Sequence, residues 1–307
     1  MSEILQRLEK EILVFDGAMG TLLQERGLLR PGHCPEELNI THADDITALH
    51  RLYVDAGAHL IETNTFGAHK PKLATFGLEH KFREINEAAV RNARKAAGAK
   101  AYVVAGIGPY EKMVSPLGPL SFDDAREMYR QWADVVANAG CDMILFETFS
   151  DLKELKAAVV GAREVCQLPI QAQLTYEGGE RTVTGTPPEV AAAALSAMEV
   201  QIIGTNCSSG PKELLPVAQS LCSHARTYVA IQPNAGLPKL INGKTVFPAA
   251  PEEMAEYAVQ FARSGVHIVG GCCGSTPAHI KAISRAVKSI EPAALSKDKP
   301  FTLCSRT

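Results

Sequence analysis

Several features that would assign a function at a glance are missing from this 307-residue chain. No run of five like charges occurs, and 31 Lys plus Arg nearly balance 34 Asp plus Glu, so the chain draws neither a nucleic-acid footprint nor a membrane-binding face. No stretch reaches about 18 consecutive apolar residues. The amphipathic, charged start MSEILQRLEKEIL lacks the uninterrupted apolar segment of a secretory signal. We therefore expect a cytoplasmic protein with no nucleic acid and no membrane among its partners, acting on small neutral or zwitterionic molecules. The nine histidines form no H-x-x-x-H pair, and His267, at the entry to a hydrophobic run, reads as a core or edge residue. There is no low-complexity tract. At 46% hydrophobic and 21% charged, the composition is that of an ordinary globular chain able to bury a sizeable core. Eight cysteines (34, 141, 166, 207, 222, 272, 273, 304) are present, but a chain of this size without an export signal sits where thiols stay reduced. Any cluster among them points to metal or catalysis.

Eight short aliphatic or β-branched runs recur: ILVFDG (12–17), HLIETNTF (59–66), AYVVAGIGP (101–109), DMILFETF (142–149), PIQAQLTY (169–176), QIIGTNC (201–207), TYVAIQPNAG (227–236) and HIVGGCC (267–273). Segments between them, such as Asp151 to Val165 and Pro251 to Ser264, carry apolar residues at three- and four-residue intervals behind an acidic first turn, which predicts helices. Strands alternating with helices eight times predict an α/β fold, a (β/α)8 TIM barrel of a single domain over residues 1–290. A doubly wound open sheet is the alternative, weakened because no GxGxxG follows the first strand. Residues 291–307, EPAALSKDKPFTLCSRT, have no period and read as a C-terminal tail or linker. The runs end on polar or reactive residues: Asp16, Asn64 and Thr65, Gly108, Glu147, Thr175, Asn206 and Cys207, Asn234, Cys272 and Cys273. A closed barrel gathers all of these on one face.

The stretch VGGCCGSTP (269–277) places two cysteines side by side, where a regular strand would point them to opposite faces. Its glycines let the chain leave β geometry so that both sulfurs face one point. Cys207 ends the sixth run, one strand away from the eighth across the barrel rim. Alone, a Cys-Cys pair is more often a packing accident or a vicinal redox pair. With Cys207 added, three thiolates and one open position describe a catalytic zinc site, and soft sulfur ligands suit redox-inert zinc. The other five cysteines read as core or surface thiols.

The set DGAMGT (16–21), PEELN (35–39), ETNTFGA (62–68), FETF (146–149), TNCSSGP (205–211), QPNAG (232–236) and GGCCGSTP (270–277) resembles the homocysteine S-methyltransferase family. Within that family it is most similar to the homocysteine-binding module of the cobalamin-dependent methionine synthases. The resemblance implies that Cys207, Cys272 and Cys273 hold zinc and that zinc-bound homocysteine thiolate attacks a methyl group to give methionine. It further implies that Asp16 and Glu147 hold the homocysteine ammonium and that the Gly17 and Ala18 amides hold its carboxylate. From their place at the strand ends, Asn64, Thr65, Asn206 and Asn234 either orient the substrate or satisfy loop backbone, and no catalytic residue is expected beyond the metal centre. The implied donor is methylcobalamin, supplied by a corrinoid partner protein or module. Those synthases continue into further modules, so the chain is expected to work with separate partners or to be an excised module. S-methylmethionine, S-adenosylmethionine or betaine as donor, a non-catalytic zinc- or thiol-binding barrel, and a vicinal-dithiol redox protein remain alternatives.

Overall fold

The computed structural model describes residues 2–178, 180–241 and 244–295. Each of the eight runs contributes a strand: β1 (Leu13–Val14), β2 (Leu60–Glu62), β3 (Tyr102–Ile107), β4 (Met143–Phe149), β5 (Ile170–Leu174), β6 (Ile202–Asn206), β7 (Tyr228–Gln232) and, after a small hairpin of β8 (Lys239–Ile241) and β9 (Lys244–Val246), β10 (Ile268–Val269). The sheet order is β1-β10-β7-β6-β5-β4-β3-β2, and all its pairings are parallel. A parallel bridge between Phe15 and Leu60, with Asp16 N donating to Leu60 O at 3.0 Å, joins the two outer strands. The sheet thereby closes into the barrel, and the open-sheet alternative falls.

The strands are aliphatic throughout because both of their faces are buried, as a parallel sheet flanked by crossover helices requires. One apolar layer fills the lumen, with Leu13, Phe15, Leu60, Val104, Met143, Leu145, Ile202 and Ile268, and the N-terminal helix Glu3–Leu8 adds Ile4 and Leu8 to it. A second layer lies between strands and helices. The two helices expected from periodicity run from Leu152 to Arg163 and from Pro251 to Arg263. The first is capped by Asp151, whose side chain accepts from Lys153 N at 2.9 Å; the second starts with proline at its first position, where no N–H partner is needed.

The strands are shorter than the runs that announced them. Beyond Glu62, Gln232 and Val269 the chain leaves the ladder, and those departures build the site. The β8–β9 hairpin, inserted in the loop after β7, was not foreseen from sequence. His267 is a core residue: its Nδ1 accepts from Val229 N at 3.3 Å and its Nε2 lies 2.9 Å from Ala293 O, holding the segment after the last helix against the barrel. Cys34 and Cys141 are buried, and Cys166 and Cys222 half-buried. Cys304 and the tail from Ser296 lie outside the described residues. No described helix is long and apolar enough to cross a membrane.

Candidate active site

Three sulfurs meet at the C-terminal rim of the barrel. Strand β7 lies between β6 and β10 and acts as their template: Cys207 N donates to Gln232 O (3.1 Å), Cys272 N to Pro233 O (2.7 Å), and Ala235 N to Cys273 O (2.9 Å). At the end of β6 the chain turns through left-handed φ values of 60° at Cys207 and 49° at Ser208, uncommon for residues with a Cβ. After β10, Gly274 adopts a φ of 78°, and a Cβ there would sit 2.1 Å from the Phe247 ring. Ser275 Oγ donates to Cys272 O at 2.5 Å and fixes the turn. The three Sγ atoms lie within 4.8 Å of one another, with Cys207 and Cys273 3.9 Å apart. Tetrahedral sulfur ligands about 2.3 Å from one zinc ion stand about 3.8 Å apart, so the cluster fits the ion.

Three thiols this close cannot all ionise unaided. Hydrogen bonds from Cys272 and Cys273 hold the Cys207 thiol down at about 3 against the opposing effect of burial, and Asn234 also donates to it. Donation to Cys207 pushes Cys273 up to about 12 and raises Cys272 as well.

The sulfurs border a cavity of about 300 Å³ whose lining, among the described residues, includes no Lys, Arg or His. Acidic groups form its other side. Asp16, just past β1, accepts from Glu62 N through Oδ2 at 2.9 Å. The Glu62 and Glu147 carboxyls are hydrogen bonded to each other, and Glu147 Oε2 also accepts from Asn206 Nδ2 at 2.9 Å. Burial pushes Glu147 up to about 7. Burial first, and the Glu147 charge after it, raise both Asp16 and Glu62 well above the usual carboxylate range. The acidic corner has no basic side chain beside it among the described lining residues.

Asn206 links the two sides. Besides Glu147, its Nδ2 reaches Thr148 Oγ1 at 2.8 Å and Cys272 Sγ at 3.8 Å, while its Oδ1 accepts from Thr148 N at 2.8 Å. Asn64 and Thr65 line the cavity, but their side chains are committed to backbone: Asn64 Nδ2 to Pro35 O (2.8 Å) and Thr65 Oγ1 to Gly106 O (2.6 Å). Asn234 touches Cys207 rather than the cavity. Gly17 and Ala18 line the cavity, yet the Ala18 amide donates to Ser275 O at 3.2 Å. The uncapped first turn of the helix Met19–Glu25 lies beside it, with Met19, Gly20 and Thr21 on the cavity wall.

Sequence reasoning passed over two lining acids. Glu36, from PEELN, is buried and pins the β2 loop, accepting from Gly67 N at 2.7 Å and from Cys34 Sγ at 3.1 Å. Glu62 opens ETNTFGA, and an acid closing the aliphatic run HLIE was the available signal.

The model of the homocysteine S-methyltransferase family matches residues 13–287. The chain belongs to that family. It is 36% identical to methionine synthase of Mycobacterium leprae over 303 residues (93% of this chain, 25% of the relative) and 36% identical to that of Mycobacterium tuberculosis over 307 residues (94% and 26%). The chain therefore spans about a quarter of the length of the curated relatives it matches. Its fold is also that of the homocysteine methyltransferase MmuM from Escherichia coli. The metallated form superposes with a TM-score of 0.79 at 24% identity over 92% of this chain and 98% of that one; the oxidised form gives 0.77.

Proposed function

We propose that this chain is a zinc-dependent methyltransferase that moves a methyl group from a methyl-corrinoid to the sulfur of homocysteine, giving methionine. The observation that carries the reading is the pairing, within one cavity, of a three-sulfur cluster with an acidic corner: a thiol at one end of a small amino acid and an ammonium at the other match it. Cys207, Cys272 and Cys273 would hold zinc, which when bound supplies a Lewis acid that favours the thiolate form of the substrate sulfur at neutral pH. Glu147 and Asp16 take the ammonium. Gly17 and the uncapped helix turn after Ala18 face the carboxylate, whose charge suits a helix N-terminus. Held at both ends, the substrate presents its sulfur for in-line displacement, and orientation does the work that an acid or base does elsewhere.

The cavity mouth supports a bulky donor. Six of the seven exposed large apolar side chains among the described residues lie in segments that follow barrel strands at this end: Phe66, Leu117, Val183 and Leu237, with Leu240 and Val246 on the β8–β9 hairpin. Such a collar suits a macrocycle or a protein module that carries one, and the longer chains of the relatives leave room for such a module. A cytoplasmic setting keeps the thiols reduced. Methionine formation from homocysteine is to be measured with free methylcobalamin, a methyl-corrinoid module, S-methylmethionine, S-adenosylmethionine and betaine. We expect slow turnover with free methylcobalamin and faster turnover with the module. Turnover with one of the small donors, and none with either corrinoid, would overturn the donor.

A further inference from the structure

We propose that Glu62 is a positioning residue: as a neutral acid it donates a hydrogen bond to Glu147 and so reserves the Glu147 carboxylate for the substrate ammonium. This rests on the homocysteine reading of the cavity. Glu62 is the last residue of β2, tied through its own N–H to Asp16 Oδ2 at 2.9 Å. Its carboxyl lies against the backbone of β3, where Gly106 leaves the space. A Cβ on Gly106 would fall 1.9 Å from Glu62 Oε1, so the glycine is a cut-out for this side chain.

Two carboxyl groups in contact do not both ionise in a desolvated site, and the one better supplied with donors keeps the charge. Glu147 receives the Asn206 amide. Among the described residues the Glu62 carboxyl has Glu147 as its partner and no amide or basic donor. The titratable groups facing Glu62 are Asp16 from the end of β1 and Glu147 from β4, both acidic, and both oppose its ionisation. Burial adds to their effect at Glu62, whereas at Glu147 the bond from Glu62 works against burial. The proton therefore stays on Glu62 and the charge on Glu147. A ligand without an ammonium would leave that charge uncompensated, which gives the cavity its preference for an amino acid.

The test compares zinc-loaded wild type, Glu62→Gln and Glu62→Met by calorimetric titration with L-homocysteine and by infrared difference spectroscopy between wild type and Glu62→Gln. Gln keeps an N–H donor for Glu147, so we expect its Kd to stay within about threefold of wild type. Met removes the donor, and the Kd should rise about 10- to 100-fold with zinc retained, as for loss of one hydrogen bond to a charged group. The carbonyl stretch of a protonated carboxylic acid should be present in wild type and absent in Glu62→Gln. Equal weakening in both variants, no weakening in Glu62→Met, or no protonated-acid band assignable to Glu62 would overturn the proposal. If wild type does not bind homocysteine at all, the substrate reading fails, and the band alone decides the state of Glu62.

Discussion

Asn206 Nδ2 and Glu147 Oε2 stand 2.9 Å apart across the rim of the barrel, joining β6 to β4. The same carboxamide holds Thr148, which sits at a left-handed φ of 63°, and touches the sulfur of Cys272. Replacing Asn206 by Ala frees Glu147 to turn and strands the Thr148 N–H. We expect a homocysteine Kd raised about tenfold and a stability loss of about 1–3 kcal/mol, read by calorimetry and denaturant unfolding. Asn206→Asp, which sets a second carboxylate against Glu147, should bind homocysteine more weakly still. Wild-type affinity in both variants would remove Asn206 from the site.

Zinc content checks the sulfur cluster directly. About one zinc per chain is expected in the wild type, and Cys207→Ser or Cys273→Ser should lose most of it by elemental analysis. Two apolar layers hold the barrel independently of the rim, so chelation should leave the far-ultraviolet circular dichroism intact, unlike that of a zinc finger. Full retention of metal in both variants would refute the ligand set, and collapse on chelation would refute the independence of the fold.

Homocysteine binding to the zinc-loaded protein should release close to one proton near neutral pH, because a thiol of pKa about 8.5 arrives protonated and is held as thiolate. Calorimetry in buffers of differing ionisation enthalpy counts that proton. Zero release would mean that the sulfur does not reach the metal as thiolate.

Glu154 supplies a pH dependence away from the site. It is buried, accepts from Tyr110 N at 2.6 Å and Tyr129 Oη at 2.7 Å, and burial pushes it from an ordinary 4.5 up to about 7. The folded state therefore holds this proton more tightly than the unfolded state, and between those two values stability falls as pH rises, levelling above about 7. Denaturant unfolding at pH 5 and pH 8 should show that Glu154→Gln removes a decline of about 3 kcal/mol from the wild-type difference. A wild-type contribution that grows with pH would contradict the assignment.

The eight aliphatic runs, their alternation with helices and the glycines around Cys272 and Cys273 pointed to a barrel with its chemistry at one rim, and the bridge between Phe15 and Leu60 decided that the sheet closes. Those signals are local: strand composition, helical period and backbone freedom are written within ten residues of each other. Cys207, Cys272, Cys273, Asp16 and Glu147 could be singled out because each stands where an aliphatic run stops. What each side chain touches was decided elsewhere. Glu62 reaches Glu147 because β3 carries a glycine opposite it. The Ala18 amide is taken by Ser275, a residue that follows it by more than two hundred positions and packs beside it only when β10 pairs with β1. The sequence by itself determined the number of barrel strands and which residues follow them at the rim, since periodicity and apolar composition need no partner to be read. Only the tertiary structure decided which of those ends share a proton, a hydrogen bond or an ion, because such contacts depend on distances of a few ångströms between segments the chain brings together last.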